Sequence, residues 1–112
     1  MAHSMTIMVG ALDASTDIAQ ELVRVLAADI EYGGIAPAAR TPEKIVFHFE
    51  YVDIYEGYDY ALDVYGMNDT DADVKADEIF DRLSKATRWR LGMYFDDDDR
   101  PRKHRPASHG SQ

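Results

Sequence analysis

Residues 45–65 read IVFHFEYVDIYEGYDYALDVY, and their pattern sets most of the predicted topology. Apolar and aromatic residues alternate with His, Glu and Asp, which is the two-residue period of strands with one buried face. Glu56-Gly57 interrupts this alternation and predicts the turn of a hairpin. After Tyr51 the apolar positions change parity, which indicates either a bulge near Tyr51–Asp53 or a strand that is apolar on both sides there.

One strand and one helix are predicted before this hairpin, and one helix and one strand are predicted after it. Residues 5–12 are a nearly continuous apolar run, typical of a central strand. Apolar residues at helical spacing over 18–30 predict a helix that Gly33-Gly34 ends. A second helix is predicted over about 70–87, and the alternation over 88–95 predicts the last strand.

The predicted order is therefore β-α-β-β-α-β, which is the ferredoxin-like arrangement of an α+β sandwich. Right-handed connections then give a four-stranded antiparallel sheet in the order 4-1-3-2, with both helices on one face. Many unrelated functions occur on this superfold, so the fold prediction alone does not name an activity.

Length and composition predict one domain over residues 5–99. Residues 1–4 fit a remnant of cloning, with Met5 as the native start. Residues 100–112 are polar and basic, and we expect a disordered tail there. The chain has no cysteine, which excludes disulfides and thiolate chemistry and fits a reducing compartment. No membrane or targeting segment is visible, so we expect a cytoplasmic protein.

Charge is distributed unevenly along the chain. Residues 1–99 contain 21 acidic residues and eight Lys or Arg, a net charge of −13, whereas the last 13 residues carry four basic residues and no acidic one. Such a body repels nucleic-acid phosphates and attracts basic partners. Abundant Ala, Gly and Arg with little Lys or Asn are typical of a GC-rich genome, such as that of an actinobacterium or its phage.

The predicted topology leaves one sheet face without helices. If the larger apolar sets pack under the helices, the other face carries Met8, Leu12, Val46, His48, Glu50, Asp63, Tyr65, Arg88, Arg90 and Tyr94. Tyr, Met and Arg are enriched in protein interfaces. The first hypothesis is therefore a small interaction or regulatory protein, not an enzyme, that binds a protein partner or forms a homodimer. Its expected contact residues are Met8, Tyr65, Arg88, Arg90 and Tyr94.

An alternative hypothesis is a small-ligand site or a cofactor-independent enzyme around His48. Glu50 or Asp63 would orient the imidazole as a general base near neutral pH, and Arg88 or Arg90 would hold an anionic substrate. No nucleophile motif, glycine-rich loop or acid pair accompanies these residues, so no catalytic residue is assigned.

Nucleic-acid and metal binding are not predicted. RNA-recognition modules of this topology need a basic, aromatic third strand, but the strand after the turn carries Asp59 and Asp63. Asp69, Asp71 and Asp73 begin like an EF-hand loop, but the glycine and glutamate that such a loop requires further on are missing. Helix capping explains the three aspartates better, and no metal or cofactor is expected.

Overall fold

The computed structural model describes residues 3–10, 12, 15, 17–33, 36–52, 57–95 and 103–105. Its elements are β1 (His3–Gly10), α1 (Ile18–Leu26), β2 (Asp29–Glu31), β3 (Ala38–Arg40), β4 (Val46–Tyr51), β5 (Tyr60–Gly66), α2 (Asp69–Ala86), β6 (Arg90–Phe95) and β7 (Lys103–Arg105). Neither described helix combines the length and the apolar character needed to cross a membrane.

All seven strands form one antiparallel sheet in the order β2-β3-β4-β5-β1-β6-β7. The described part of the chain is therefore α+β, with one antiparallel sheet and two helices, as the sequence predicts. The prediction of four strands in the order 4-1-3-2 is wrong for the sheet as a whole, because β2, β3 and β7 extend the observed sheet. The four predicted strands are the neighbours β4, β5, β1 and β6 in its middle.

The extra strands β2 and β3 lie where the sequence predicts the end of a helix and a loop. Asp17 caps the start of α1, and α1 ends earlier than predicted because Ala27 adopts a left-handed conformation with φ of 53°. The chain then extends, so Ile30 sits in a strand although its spacing fits the helical stripe. β3 begins directly after Pro37 and pairs with β4.

Both helices pack on the same face of the sheet. Asn68 caps α2, and the buried faces of the two helices join alternate residues of the four central strands in one core. Its largest fully buried side chains include Met5, Ile7, Val9, Leu22, Leu26, Phe47, Leu62, Val64, Ile79, Leu83 and Leu91. Burial of this apolar surface is the main source of stability, at about 25 cal/mol per Å².

A β-bulge at the start of β5 changes the face that one tyrosine occupies. Val9 pairs with Tyr60, yet its carbonyl also accepts a hydrogen bond from the Asp59 N–H at 2.8 Å. Two residues therefore oppose one, and Tyr58 turns to the face opposite the helices. Strict alternation would instead place Tyr58 on the same face as Tyr60. Tyr51, at the end of β4, is 67% exposed although the register keeps it on the same face as the buried phenylalanines of that strand.

Described strand residues lie on both sides of the range 5–99. His3 and Ser4 continue β1 ahead of Met5 and pair with Gly66 and Tyr65. Residues 103–105 form β7 inside the tail that the sequence predicts to be disordered. Asp53, part of the predicted bulge near Tyr51–Asp53, and the rest of the tail lie outside the described residues.

Candidate functional site

The sheet surface opposite the two helices is called the open face here. Cross-strand pairing places one row of side chains directly across its middle, in the order Ala38, His48, Asp63, Thr6 and Tyr94. The neighbouring row consists of Glu50, Ala61, Met8 and Gly92. The order of the strands therefore brings together residues that are far apart in the sequence.

Four half-buried residues on the open face form a polar cluster: Thr6, His48, Asp63 and Tyr65. The Thr6 hydroxyl donates a hydrogen bond to Oδ1 of Asp63 at 2.7 Å. Nδ1 of His48 lies 2.9 Å from the Tyr65 hydroxyl, and the two rings meet edge-on at 5.2 Å. Each pair is joined by its own contact, and the strand register places His48 opposite Asp63, so an imidazole, a carboxylate and two hydroxyls lie close together.

Beside the polar cluster lies an apolar cluster of Met8, Tyr58 and Ala61, against which Val52 and Tyr94 pack. Tyr58 reaches this position because of the bulge at Asp59. Met8 is only 2% exposed as a result. Met8, predicted as a partner contact, is therefore covered by the chain's own Tyr58.

Gly92 makes room for the ring of Tyr58, and Gly57 makes room for the guanidinium that lies over this ring. A Cβ atom on Gly92 would lie 2.8 Å from the Tyr58 hydroxyl and 2.9 Å from the Tyr94 ring. Gly57 has φ of 86°, and a Cβ atom there would overlap the Arg90 guanidinium. That guanidinium lies over the Tyr58 ring, 4.8 Å from its centre, which is cation–π geometry. Arg90 is therefore ordered on the open face by an aromatic ring.

The other predicted site residues are spread around these clusters. Tyr94 is half-buried between them, and Glu50 is exposed in β4 opposite Ala61. Arg88 is also exposed, but it precedes β6 and has no place in the strand register. Leu12 packs against the main core and not on the open face. Among the predicted residues, His48 and Tyr65 are thus in direct contact, and Asp63 is the cross-strand neighbour of His48.

Sequence reasoning missed two important residues of the open face. Thr6 could have been found, because strict alternation in β1 places it on the same face as Met8. Tyr58 could not, since its position depends on a bulge that the two-residue period does not show.

A small pocket of about 120 Å³ extends the open face toward β2. It is lined by Asp29, Glu31, Ala38, Ala39, Arg40 and Val46. Asp29 and Arg40 are register partners, so charges of both signs line this pocket. It was not predicted because β2 and β3 were not. Within the described ranges, no three His, Asp or Glu side chains are grouped so that they could hold a metal ion.

Comparison with known proteins gives no match to a family model, a curated protein or a solved structure. Any assignment of function must therefore come from the chemistry of the site itself. The open face offers ordered aromatic rings, a guanidinium, an imidazole and hydroxyls on a rigid sheet, which is chemistry suited to binding.

Proposed function

We propose that this chain is a small acidic interaction protein that binds a protein partner, or a second copy of itself, through the open face. One observation carries the proposal. The open face lies on the central strands of the sheet, and neither described helix covers it. Its residues Tyr65, Arg90 and Tyr94 are half-buried. Tyr and Arg are enriched among the residues that dominate binding energy in protein interfaces.

The ordering of these anchors supports the proposal. Arg90 is stacked on Tyr58, and Tyr65 is hydrogen-bonded to His48. Side chains that are already fixed lose less conformational entropy when a partner binds, which is about 0.5–1.5 kcal/mol for each side chain that would otherwise be immobilised. The net charge of −13 in residues 1–99 would also speed the encounter with a basic partner.

The same proposal includes a specific fold for the core and a location in the cell. We propose that β1, α1, β4, β5, α2 and β6 form a ferredoxin-like core to which β2, β3 and β7 were added. The chain order of these six elements supports this assignment. The acidic body supports a protein partner over nucleic acid. The lack of cysteine is compatible with the cytoplasm.

The test compares two substitutions of the same kind on opposite sides of the molecule. Val46 is half-buried on the open face, whereas Val74 is 63% exposed on α2. We expect Val46→Glu to weaken self-association at least tenfold, because it places a carboxylate in the interface, and Val74→Glu to leave association unchanged. Light scattering at two salt concentrations measures the mass, and circular dichroism checks the fold.

The outcomes separate the two kinds of partner. If Val46→Glu, Val74→Glu and the unmodified chain all self-associated equally strongly, binding through the open face would be contradicted. A monomer at both salt concentrations would exclude a second copy as the partner. The same pair of variants would then be compared in binding to an isolated protein partner.

A ligand or enzyme site around His48 is the second candidate, because the structure places His48 opposite Asp63 and within 2.9 Å of the Tyr65 hydroxyl. A thermal-shift screen of small anions would test it, since a ligand that binds only the native state raises the melting temperature. A shift that disappears in His48→Ala but persists in Glu50→Ala would support this candidate. A shift that both variants retain would exclude His48 as its site.

A further inference from the structure

The C-terminal strand β7 is held by more than its pairing with β6. In that pairing Arg105 lies opposite Leu91, and Lys103 lies opposite Met93. Leu91 and Met93 are core residues, so this register places Arg105 on the helix side of the sheet. There it reaches the C-terminal end of α2.

The guanidinium of Arg105 binds three backbone carbonyls at this helix end. Nη1 donates to the carbonyls of Ser84, at 2.5 Å, and of Thr87, at 2.9 Å. Nη2 donates to the carbonyl of Trp89 at 2.5 Å. We call these three carbonyls, with the adjacent edge of β6, the arginine site.

Physical chemistry explains why a guanidinium fits this site. The last carbonyls of a helix lack partners within the helix, and the helix dipole places partial negative charge there. A planar guanidinium can donate in several fixed directions at once, whereas a lysine ammonium is a compact point charge. Burial lowers the pKa of Arg105 from its ordinary value, as desolvation of a cation should.

We propose that the arginine site is a docking site for a basic, arginine-containing extended segment of a partner protein, and that residues 103–105 occupy it as an internal competitor. Addition of a strand to a sheet edge is a common mode of peptide recognition, in which backbone hydrogen bonds give affinity and side-chain sites give specificity. Here β6 supplies the edge, and the arginine site supplies the specificity.

Charge and strand length both favour exchange of the internal segment for an external one. Residues 1–99 carry a net charge of −13 and therefore attract a basic segment. The occupying strand is only three residues long. A tethered segment competes at an effective concentration of about the millimolar range, so an external segment binds measurably once the internal one is weakened.

The experiment uses the full chain and a fluorescent peptide of residues 101–107, PRKHRPA. We expect Arg105→Ala in the protein to increase peptide affinity at least tenfold, because the variant's own tail no longer fills the site. Arg24→Ala is the matched control, since Arg24 is exposed on α1 and its loss changes the charge equally. It should bind the peptide as weakly as the unmodified chain.

The specificity of the site for arginine is tested with substituted peptides. A peptide that carries Arg105→Ala should lose binding to the Arg105→Ala protein, and one that carries Arg105→Lys should lose most of it. Absence of binding to a folded Arg105→Ala protein would overturn the proposal. Equal binding of the arginine and alanine peptides would also overturn it.

Hydrogen exchange keeps the proposal testable if Arg105→Ala does not fold. Excess peptide added to the unmodified chain should speed amide exchange in residues 103–105, because the internal strand is displaced, and leave β1 unchanged. Unchanged exchange in residues 103–105 at peptide saturation would contradict displacement. The Val46→Glu variant should bind the peptide like the unmodified chain, so this test is independent of the open face.

Discussion

At Gly10, where β1 meets the segment that leads into β5, the chain has no room for a side chain. A Cβ atom there would overlap the backbone oxygen of Gly57, which is not a flexible group that can move aside. Gly33 provides a contrast, since a Cβ atom there would meet nothing within 4 Å. Substitution at Gly10 therefore tests the steric overlap, whereas substitution at Gly33 measures the general effect of losing a glycine.

The substitution Gly10→Ala should destabilise the protein by about 1–3 kcal/mol, the usual range for overpacking, because the backbone at Gly57 must shift. Gly33→Ala should change the free energy of unfolding by less than about 0.5 kcal/mol, the usual range for a surface substitution. Urea unfolding measures both values. A Gly10→Ala protein as stable as Gly33→Ala would show that the segment around Gly57 moves freely away from β1.

Arg82 links α2 to the turn before β4 through Glu43, and it also contacts Glu78 at 3.1 Å. The hydrogen bond from Arg82 holds the pKa of Glu43 below its ordinary value. A carboxyl group with a lowered pKa in the folded state stabilises the fold above its unfolded pKa. That contribution disappears as the pH falls through the folded pKa.

We therefore expect Arg82→Ala to raise the pKa of Glu43, measured by NMR titration of its side-chain carboxyl, and to remove the part of the acid dependence of stability that this carboxyl contributes. Lys85→Ala is the control, because Lys85 pairs with Asp81 at 3.0 Å and not with Glu43. An unchanged Glu43 titration in Arg82→Ala would show that the pair does not persist in solution.

Among the elements, α2 owes its start to a pair of side chains that exchange hydrogen bonds with the backbone. The Asn68 side chain accepts from the Asp71 N–H at 2.8 Å, and the Asp71 carboxylate accepts from the Met67 N–H at 2.8 Å. This second bond is the main reason that the pKa of Asp71 is lowered, with Lys75 adding to it. The arrangement resembles a capping box.

The substitution Asn68→Ala should lower the free energy of unfolding by about 1 kcal/mol, the usual cost of losing an N-cap. Asn68→Ser should retain most of the stability, because a serine hydroxyl can accept the same hydrogen bond. Thermal and urea unfolding of the three proteins would measure the difference. If Asn68→Ala and Asn68→Ser were equally destabilised, the cap would not be the cause.

Element length explains how far the sequence could predict this fold and site. The six residues of β4 and seven of β5 are long enough to show a two-residue period, which placed His48, Asp63 and Tyr65 on one face. Three-residue strands such as β2 and β3 contain too few positions to show any period. β7 reads Lys-His-Arg and has no apolar residue to signal a strand.

At the scale of the whole molecule, the acidic body and the basic tail carry opposite net charges. Long-range attraction between opposite charges speeds the encounter and is screened by salt, whereas short hydrogen bonds set the rate of dissociation. We therefore expect the association rate of the peptide PRKHRPA with the Arg105→Ala protein to fall about tenfold or more between 20 mM and 500 mM salt.

Stopped-flow fluorescence would measure both rates, and the dissociation rate should change much less than the association rate. As a control for viscosity, the measurement is repeated in sucrose, which carries no charge. An association rate that does not respond to salt would show that the charge of the body does not guide the peptide.

The two ends of the sheet, finally, determine whether it can grow into an aggregate. At one end β2 is only three residues long, and exposed Asp29 and Glu31 flank Ile30, so an added copy would bring like charges together. At the other end β7 covers β6, whose sequence Arg-Leu-Gly-Met-Tyr-Phe is largely uncharged. We therefore expect release of Arg105 to expose the edge of β6 as a template for further strands.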